Sequence, residues 1–383
     1  MKLFIDSSSL IHYPCGIGVY TLQLLKQLEK YSDLEIHTGL KCLSSKAHRN
    51  IRNILSENVE KNIQYHSIRL PGRFILKNSL LQRFFSFHAS DFDVAHFTGN
   101  VVPACVPYHD LSNVILTIHD MFFWHPDLSM YEQNLITYYR NHIPEQAHKC
   151  AAIVTVSEFS KREIIKFLNI PAEKIYVIPI STQWRQPALM ETDFLSGYGL
   201  EKKKYFLSVS SLNQHKNFTG LCDAFAKYHN SKAYGGEKLV IIGGRRFRDE
   251  NIYAQICHTP DVIHIPRVPE AELRYLYTNS KGFFLVSKLE GFGIPLLEAM
   301  SCHTPACYGK GNSMDEIGRD AAVGVDPDDI DGIADVFRYF SAAPADLEER
   351  VEKAYQISQE YTWQSTAEKH YELYQQITKG RGQ

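Results

Sequence analysis

The sequence contains no apolar run long enough to cross a membrane. Its 383 residues are 44% hydrophobic and 22% charged, but no stretch approaches the roughly 18 apolar residues that a spanning helix needs. The N-terminal residues 1–6 are too poor in apolar side chains for a signal peptide. We therefore expect a globular, cytoplasmic protein with room for two domains.

Cysteine pairs and metal-ligand spacings are also missing. The eight cysteines are scattered along the chain and include no C-x-x-C. This pattern is typical of reduced cysteines in a cytosolic protein and argues against a disulfide framework or a zinc site. We expect no metal and no cofactor.

The net charge of −2 hides one basic segment. Residues 41–83 carry nine Lys or Arg against two Glu, a local excess of seven positive charges. Within the segment 69–88, a predicted amphipathic helix over 73–87 could lie on an anionic membrane at the inner face of the cytoplasmic membrane. The alternative is an ordinary surface helix whose apolar face packs on the core. We expect no nucleic-acid partner, and the oligomeric state is open.

Apolar strands alternate with helices in two successive series. Strands are predicted at 2–5, 34–38, 63–68, 93–98, 114–119, 152–156 and 176–178, and then at 205–209, 239–242, 262–265, 283–286 and 305–308. Alternation of this kind predicts right-handed βαβ units and mainly parallel sheets. The fold class is therefore α/β, with two doubly wound domains facing each other across a cleft. We place the domains at 1–187 and 201–360, with a linker at 181–200 and a last helix within 361–383.

Ligands of open α/β sheets bind beyond the carboxyl ends of the strands. In the first series, Gly16 and Gly18 lie between a strand and a helix, and His119 ends a strand. Thr21 stands where the third glycine of a dinucleotide fingerprint belongs, which disfavours an NAD-dependent dehydrogenase. A tight turn and a structural histidine remain the alternatives. Asp91 and Asp93 precede a strand, at the opposite edge, and we interpret them as turn chemistry.

In the second series, the segment 287–304 carries the strongest signal. Glu290 lies in a glycine-rich loop after a strand. Pro295 marks the first turn of the following helix, and Glu298 lies about one turn into it. Two carboxylates and a row of backbone N–H groups suit a polyhydroxylated, phosphate-bearing ligand. Lys216, also between a strand and a helix, could neutralise a diphosphate. The alternatives are a simple glycine connection, an ordinary helix glutamate and a solvated surface lysine.

Together these residues resemble the retaining nucleotide-sugar glycosyltransferases of GT-B fold, family four. The most specific match is an E-x7-E motif from Glu290 to Glu298, and P-C-G-I-G-V-Y, S-L-N-Q-H-K-N and V-I-I-G-G support it. The closing Y-T-W is similar to the point where the family's C-terminal helix crosses back to the N-terminal domain. Nearly the whole chain is covered.

The resemblance implies a role for each matching residue. Glu290 and the backbone of the following loop would hold the donor sugar, Glu298 the ribose and Lys216 the diphosphate. His119 would contact a sugar hydroxyl. The implied catalytic residues are His119, Glu290 and Lys216, and the implied donor-binding residues are Gly16, Gly18, Ser211, His215, Lys216, Arg267, Val268, Glu290, Phe292, Gly293, Ile294 and Glu298. His215 stands where the family usually has an arginine, so it would share the diphosphate charge only when protonated.

The resemblance also implies a reaction. The family retains the anomeric configuration without a metal, and we expect a front-face displacement in which the leaving phosphate assists the acceptor's proton. The motifs look most like mannosyltransferases that use GDP-mannose to build a polysaccharide or lipopolysaccharide on a saccharide or lipid-linked glycan acceptor. A UDP or deoxysugar donor, an epimerase, a phosphorylase and a catalytically silent subunit that scaffolds a partner transferase are the alternatives.

Overall fold

The computed structural model describes residues 1–13, 15–41, 44–59, 63–68, 88–102, 111–128, 133–188, 194–245 and 249–380. The chain divides into two compact units. The first comprises Met1–Trp124, Gln133–Ile180 and Trp363–Gln383, and the second comprises His125–Glu132 and Ser181–Thr362. The predicted membrane-binding helix over 73–87 lies outside the described residues.

The first unit is built on a parallel sheet. Its described strands are β1 (Lys2–Asp6), β2 (Glu35–Lys41), β3 (Ile63–Ile68), β4 (Val94–Phe97), β5 (Val114–Thr117), β6 (Ala152–Thr155) and β7 (Ile175–Val177). They lie side by side in the order β3-β2-β1-β4-β5-β6-β7. Every residue of β4, β5 and β6 is buried, as expected for a parallel sheet that is covered on both faces.

The second unit repeats this architecture. Its described strands are β8 (Tyr205–Val209), β9 (Lys238–Ile242), β10 (Val262–Ile265), β11 (Gly282–Leu285), β12 (Ala306–Gly309) and β13 (Val323–Val325). Their order is β10-β9-β8-β11-β12-β13, and the paired strands are parallel. The predicted pair of doubly wound parallel sheets is therefore confirmed.

Helices connect the strands in both units. In chain order they are α1 (Gly16–Leu28), α2 (Ser45–Asn58), α3 (Gln133–Lys149), α4 (Glu158–Leu168), α5 (Phe194–Gly197), α6 (Phe218–His229), α7 (Glu250–His258), α8 (Glu270–Asn279), α9 (Ile294–Ser301), α10 (Met314–Gly318), α11 (Ile330–Ala342), α12 (Asp346–Glu360) and α13 (Trp363–Gly380). Across the described parts of the chain, no helix combines the length and the apolarity that a membrane crossing requires.

An aromatic cluster fixes the central strands of the second unit. The ring of Phe284 in β11 stacks on Phe337 of α11 with centroids 3.9 Å apart, and Phe206 of β8 meets the same ring edge-on at 4.8 Å. Gly282 admits α11 to the sheet, because a Cβ there would lie 2.4 Å from Phe340. Core packing therefore holds β8 and β11, whose ends carry the site described below, in one rigid layer.

The C-terminal helix α13 belongs to the first unit, as predicted. His370 and Tyr374 on this helix are fully buried. His370 Nε2 lies 2.8 Å from the hydroxyl of Tyr20 in α1, and the Tyr374 hydroxyl lies 2.7 Å from His96 Nδ1 in β4. These buried polar contacts give the helix one defined position, since each partner would be costly to leave unpaired.

The boundary between the units lies earlier than the sequence suggested. Residues 181–187, assigned above to the first domain and to a linker, belong to the second unit. Trp184 is 6% exposed and donates from Nε1 to Glu270 Oε1 at 2.9 Å, and its ring meets Tyr277 edge-on. Leu195 and Leu200 are also buried. Apolar anchoring of this kind replaces the linker that the Pro and Gly content had indicated.

Candidate functional site

In both units the connections reverse direction between two neighbouring strands. In the second unit, β8 leads to β9 on one side, whereas β11 leads to β12 on the other. In the first unit the corresponding strands are β1 and β4. The loops that leave the carboxyl ends of such a pair diverge, and the crevice between them is where open α/β sheets bind ligands.

Lys216 and Glu290 meet at the point of reversal in the second unit. Lys216 ends the 3-10 helix Gln214–Lys216 in the loop after β8, and Glu290 lies in the loop after β11. Lys216 Nζ is 2.5 Å from Glu290 Oε1, and the side chains are 13% and 9% exposed. Salt screens such a pair much less than a surface pair. The two residues that the sequence assigned to phosphate and sugar therefore form one largely buried ion pair.

Close backbone contacts position the loop after β8. Gly243 has to be glycine, because a Cβ there would lie 1.7 Å from the carbonyl oxygen of Ser210. Ser211, which follows Ser210 and was predicted to bind the sugar donor, accepts a hydrogen bond from the Asn213 side chain at 2.7 Å. The loop after β9 thus supports the loop that carries Lys216.

The loop after β11 turns sharply into α9. Gly293 has φ +107°, a conformation that L-residues rarely adopt, and a Cβ there would lie 2.8 Å from Met314. Pro295 follows in the first turn of α9, where its missing N–H has no intrahelical partner. The predicted helix start is confirmed. The backbone N–H of Lys288 donates to the carbonyl of His215 at 2.8 Å, which ties this loop to the loop of Lys216.

Glu298 lies on α9 beside a buried tyrosine. Its Oε2 accepts a hydrogen bond from the Tyr277 hydroxyl at 3.0 Å. Burial raises the pKa of Glu298 to about 8, the Tyr277 hydrogen bond opposes the rise, and the charge of Glu270 adds to it. One oxygen of Glu298, the residue predicted to bind the ribose, is therefore already hydrogen-bonded to Tyr277. The Glu298 carboxylate also binds a proton more readily than that of an ordinary glutamate. Its contact with a ribose stays a prediction.

His215, which stands where the family usually has an arginine, is buried beside Lys216. The side chain is 1% exposed. Burial, together with the neighbouring Lys216 charge, lowers the pKa of His215 to about 2 despite a hydrogen bond with the backbone of Leu128. The imidazole is neutral at any physiological pH. This pKa disfavours the protonated form that a contact with the diphosphate charge would require, and that role of His215 stays a prediction.

His119 lies in the first unit, after β5. Its Nε2 donates to the carbonyl of Thr98 at 2.8 Å, its backbone N–H donates to Asn100 Oδ1, and its ring meets Tyr20 edge-on. Burial lowers the pKa of His119 to about 4. It is therefore a neutral imidazole held in one tautomer, since a carbonyl can only accept. Its predicted contact with a sugar hydroxyl remains a prediction.

The two glycines before α1 differ in their surroundings. Gly18 donates its N–H to Cys15 Sγ at 3.4 Å, and a Cβ on it would lie 3.1 Å from the Ser9 carbonyl oxygen. A Cβ on Gly16 would meet nothing within 4 Å. The structure thus gives Gly18 a packing role, whereas the backbone of Gly16 stands open on its Cβ side.

Arg267 and Val268, two residues of the predicted donor-binding set, follow β10. Arg267 is exposed and Val268 is 8% exposed. The strand is secured there because Gly243 donates its N–H to the carbonyl of Ile265 at 3.0 Å. Both residues therefore lie at the same carboxyl edge as Lys216 and Glu290, and their role stays a prediction.

The D-x-D string lies at the opposite edge of the first sheet. Asp91 ends a 3-10 helix, and Asp93 Oδ2 accepts from the backbone N–H of Lys2 at 2.7 Å, at the start of β1. Within the described ranges, no group of three or more His, Cys, Asp or Glu side chains could hold a metal ion. Asp93 therefore ties the start of β4 to the start of β1, and the turn role assigned to Asp91 and Asp93 stays a prediction.

Sequence reasoning missed three residues that shape the site: Tyr277, Asn312 and Ser313. Tyr277 holds Glu298, and Asn312 and Ser313 follow β12 and donate into the loop of Glu290. A signal for the latter pair was available. They stand directly after the predicted strand at 305–308 with Gly311 before them, the same strand-to-helix position as the other candidates.

Two family models match the chain, one in each half. The model of glycosyl transferases group 1 matches residues 193–357, and that of glycosyltransferase family 4 matches residues 14–180. Together they cover the second doubly wound sheet and every described strand of the first except β1. Both halves of the chain match glycosyltransferase models, which supports a GT-B glycosyltransferase. The predicted GT-B fold is therefore confirmed, whereas the retaining reaction and the role of the E-x7-E motif stay predictions.

Two curated relatives are mannosyltransferases by name. O-antigen chain mannosyltransferase B of Escherichia coli is 29% identical over 236 residues, which cover 59% of this chain and 60% of the relative. O-antigen chain mannosyltransferase RfbU of Salmonella typhimurium is 30% identical over 239 residues, which cover 60% and 62%. The chain therefore spans about three fifths of the length of these relatives.

A solved structure supports the same fold. The Anabaena protein HepE, crystallised with UDP and glucose, matches 98% of this chain and 100% of its own with a TM-score of 0.73 at 14% identity. At that identity the likeness shows the GT-B fold alone.

Proposed function

We propose that this GT-B glycosyltransferase is a retaining hexosyltransferase that moves mannose from GDP-mannose to a saccharide or lipid-linked glycan acceptor in polysaccharide biosynthesis. The observation that carries the proposal is the Lys216–Glu290 ion pair, 2.5 Å long, at the carboxyl ends of β8 and β11. A cation and a carboxylate at such a reversal of strand order suit a ligand with an anionic centre and hydroxyl groups.

In the donor complex, the Lys216 ammonium group binds the diphosphate while it keeps a contact with Glu290. An ammonium has three donors, so it can serve a phosphate oxygen and Glu290 together. Glu290 then accepts from sugar hydroxyls, and the N–H groups of Phe292, Gly293 and Ile294 donate to the sugar at the start of α9. The Glu298 carboxylate, once ionised, accepts hydrogen bonds from the ribose hydroxyls.

The chemistry is a front-face displacement. The bond from the anomeric carbon to the diphosphate breaks, the acceptor oxygen adds on the same face, and its proton passes to the leaving phosphate. Lys216 and the loop N–H groups stabilise the charge on the leaving diphosphate, and removal of one preorganised donor of this kind typically costs about 10²–10³ in rate. No metal and no cofactor takes part in this scheme.

The relatives' names support the choice of donor. Both are O-antigen mannosyltransferases by name, and mannose is therefore the sugar we propose. The nucleobase would lie near Arg267 and Val268, after β10. The acceptor would bind the first unit.

The test is a panel of GDP-mannose, UDP-glucose, UDP-GlcNAc and a deoxysugar nucleotide, scored by thermal shift and by donor hydrolysis with EDTA present. We expect GDP-mannose to stabilise the chain most and to be hydrolysed slowly with retention. A preferred uridine donor would overturn the guanine and mannose assignment. Activity that EDTA abolishes would overturn metal independence, and no stabilisation by any donor would favour a catalytically silent subunit.

Variants of Glu298 and Lys227 sharpen the test. Glu298→Ala should weaken donor binding, and an unchanged affinity and turnover would remove Glu298 from the site. Lys227→Met is the matched control, because Lys227 belongs to the same unit and pairs with Asp331 at 2.6 Å, but with side chains 49% and 77% exposed. It should leave the donor affinity unchanged.

A further inference from the structure

The loop after β12 packs against the loop that carries Glu290. Asn312 and Ser313 are 2% and 0% exposed. Ser313 Oγ lies 2.8 Å from the carbonyl oxygen of Glu290 and 3.0 Å from that of Phe292. A single buried hydroxyl therefore contacts two carbonyls of the loop that we propose to hold the donor sugar.

Contact with a carbonyl also fixes the direction of the next N–H. A trans peptide is planar, and its C=O and N–H point in opposite directions. The hydrogen bond that holds the Phe292 carbonyl toward Ser313 therefore turns the N–H of Gly293 away from Ser313. Gly293 has φ +107° and leads directly into α9. Because glycine loses more backbone freedom on ordering than any other residue, the contacts of Ser313 restrain a backbone that glycine alone leaves free.

Asn312 restrains the same loop one step earlier. Its Nδ2 donates to the carbonyls of Ser287 and Gly309, at 3.2 and 3.1 Å, and its Oδ1 accepts from the backbone N–H of Met314 at 3.0 Å. The peptide between Ser287 and Lys288 is thus held from both sides, because its N–H donates to the carbonyl of His215. The residue after His215 is Lys216, so three loops are connected.

We propose that Asn312 and Ser313 form a positioning clamp that aims the N–H groups at the start of α9 at the sugar of the donor. The proposal rests on the proposed function of the site. The clamp touches neither the nucleotide nor the reacting atoms, and acts through the backbone of residues 287–293. Loss of the clamp should therefore reduce the extra affinity that the sugar nucleotide has over the nucleoside diphosphate. The affinity for the nucleoside diphosphate itself should stay nearly unchanged.

The experiment compares Ser313→Ala with a matched control. Ser301 is equally buried, and its Oγ donates to a backbone carbonyl, that of Glu298, at 2.8 Å. This bond lies within α9, so Ser301→Ala removes the same kind of interaction without releasing the loop. The dissociation constants of GDP and GDP-mannose, and of UDP and UDP-glucose, are measured by calorimetry for each protein. The ratio within each pair gives the increment due to the sugar.

We expect Ser313→Ala to reduce the increment due to the sugar by about tenfold, the usual worth of one hydrogen bond to a positioned group. Ser301→Ala should leave the increment unchanged. Ser313→Cys keeps nearly the same shape with a weaker donor, so it should show an intermediate loss and provides the measurement if the alanine variant does not fold.

The outcomes separate the clamp from the function. An unchanged increment in Ser313→Ala, with a wild-type chain that binds the sugar nucleotide more tightly than the diphosphate, overturns the clamp alone. Equal losses in Ser313→Ala and Ser301→Ala also overturn it, because they indicate a general loss of packing. A wild-type chain that binds neither nucleotide pair overturns the clamp and the proposed function together.

Discussion

Lys216→Met should destabilise the second unit because it leaves a carboxylate buried without its partner. Glu290 is 9% exposed at the side chain, and its ion pair with Lys216 is 2.5 Å long. Removal of one partner of a buried pair typically costs about 3–5 kcal/mol. Because both side chains keep some contact with solvent, we expect the lower end of this range, about 3 kcal/mol.

A double-mutant cycle isolates the interaction between the two residues. Lys216→Met and Glu290→Gln should each destabilise the chain, whereas the double variant buries no unpaired charge. It should therefore lose less than the sum of the single variants, with a coupling energy of about 2 kcal/mol. The exposed Lys227–Asp331 pair of the same unit serves as the control, and exposed pairs typically contribute less than about 1 kcal/mol.

The assay follows the second unit alone. Trp184 lies in the second unit, whereas Trp124 and Trp363 lie in the first. A background with Trp124→Phe and Trp363→Phe leaves Trp184 as the fluorescent probe, and urea unfolding at pH 7 then reports on the unit that carries the pair. A coupling energy for Lys216 and Glu290 no larger than that of the control pair would refute the buried ion pair.

Three further predictions concern pH and backbone. The pKa of Glu298 is about 8, and the ribose contact that we propose uses the ionised carboxylate. Donor affinity should therefore rise by up to about tenfold per pH unit between pH 6 and 8, and Glu298→Gln should flatten this profile in calorimetric titrations. Although burial opposes it, hydrogen bonds lower the pKa of Glu237 from 4.5 to about 2. Its contribution, about 3 kcal/mol, is therefore complete above pH 4.5 and lost toward pH 2, and urea midpoints of Glu237→Gln should lack this acid sensitivity. Gly293→Ala should destabilise the chain more than Gly311→Ala by thermal melting, because both have positive φ but only Gly293 also faces Met314, at 2.8 Å; equal losses would contradict the clash.

The sheets and the start of α9 could be predicted because local sequence determines them. Strands buried on both faces are continuous apolar runs, and the predicted strand over 239–242 lies within β9, Lys238–Ile242. Pro295 indicated the first turn of α9 because proline lacks a backbone N–H, a property that does not depend on tertiary contacts. The carboxyl-edge position of Lys216 and Glu290 then followed from the parallel topology.

The contacts within the site could not be predicted, because they join distant parts of the chain. Lys216 and Glu290 are 74 residues apart, and periodicity carries no information about which loops meet. Tertiary packing also determines the burial that keeps His215 neutral. In the same way it determines the contact of Trp184 with Glu270, which places residues 181–187 in the second unit. The position of Ser313 after a predicted strand could have marked it as a candidate, but it does not indicate that the hydroxyl contacts two carbonyls of another loop.

The central claim is that the ends of β8 and β11 bind a nucleotide sugar through Lys216. The most direct measurement is the dissociation constant of GDP-mannose, by calorimetry, for the wild-type chain, Lys216→Met and the surface control Lys227→Met. Loss of a charge-assisted contact predicts an affinity about 10-fold to 100-fold weaker in Lys216→Met, with the control equal to wild type. Three equal dissociation constants, or the same loss in both variants, would contradict the account.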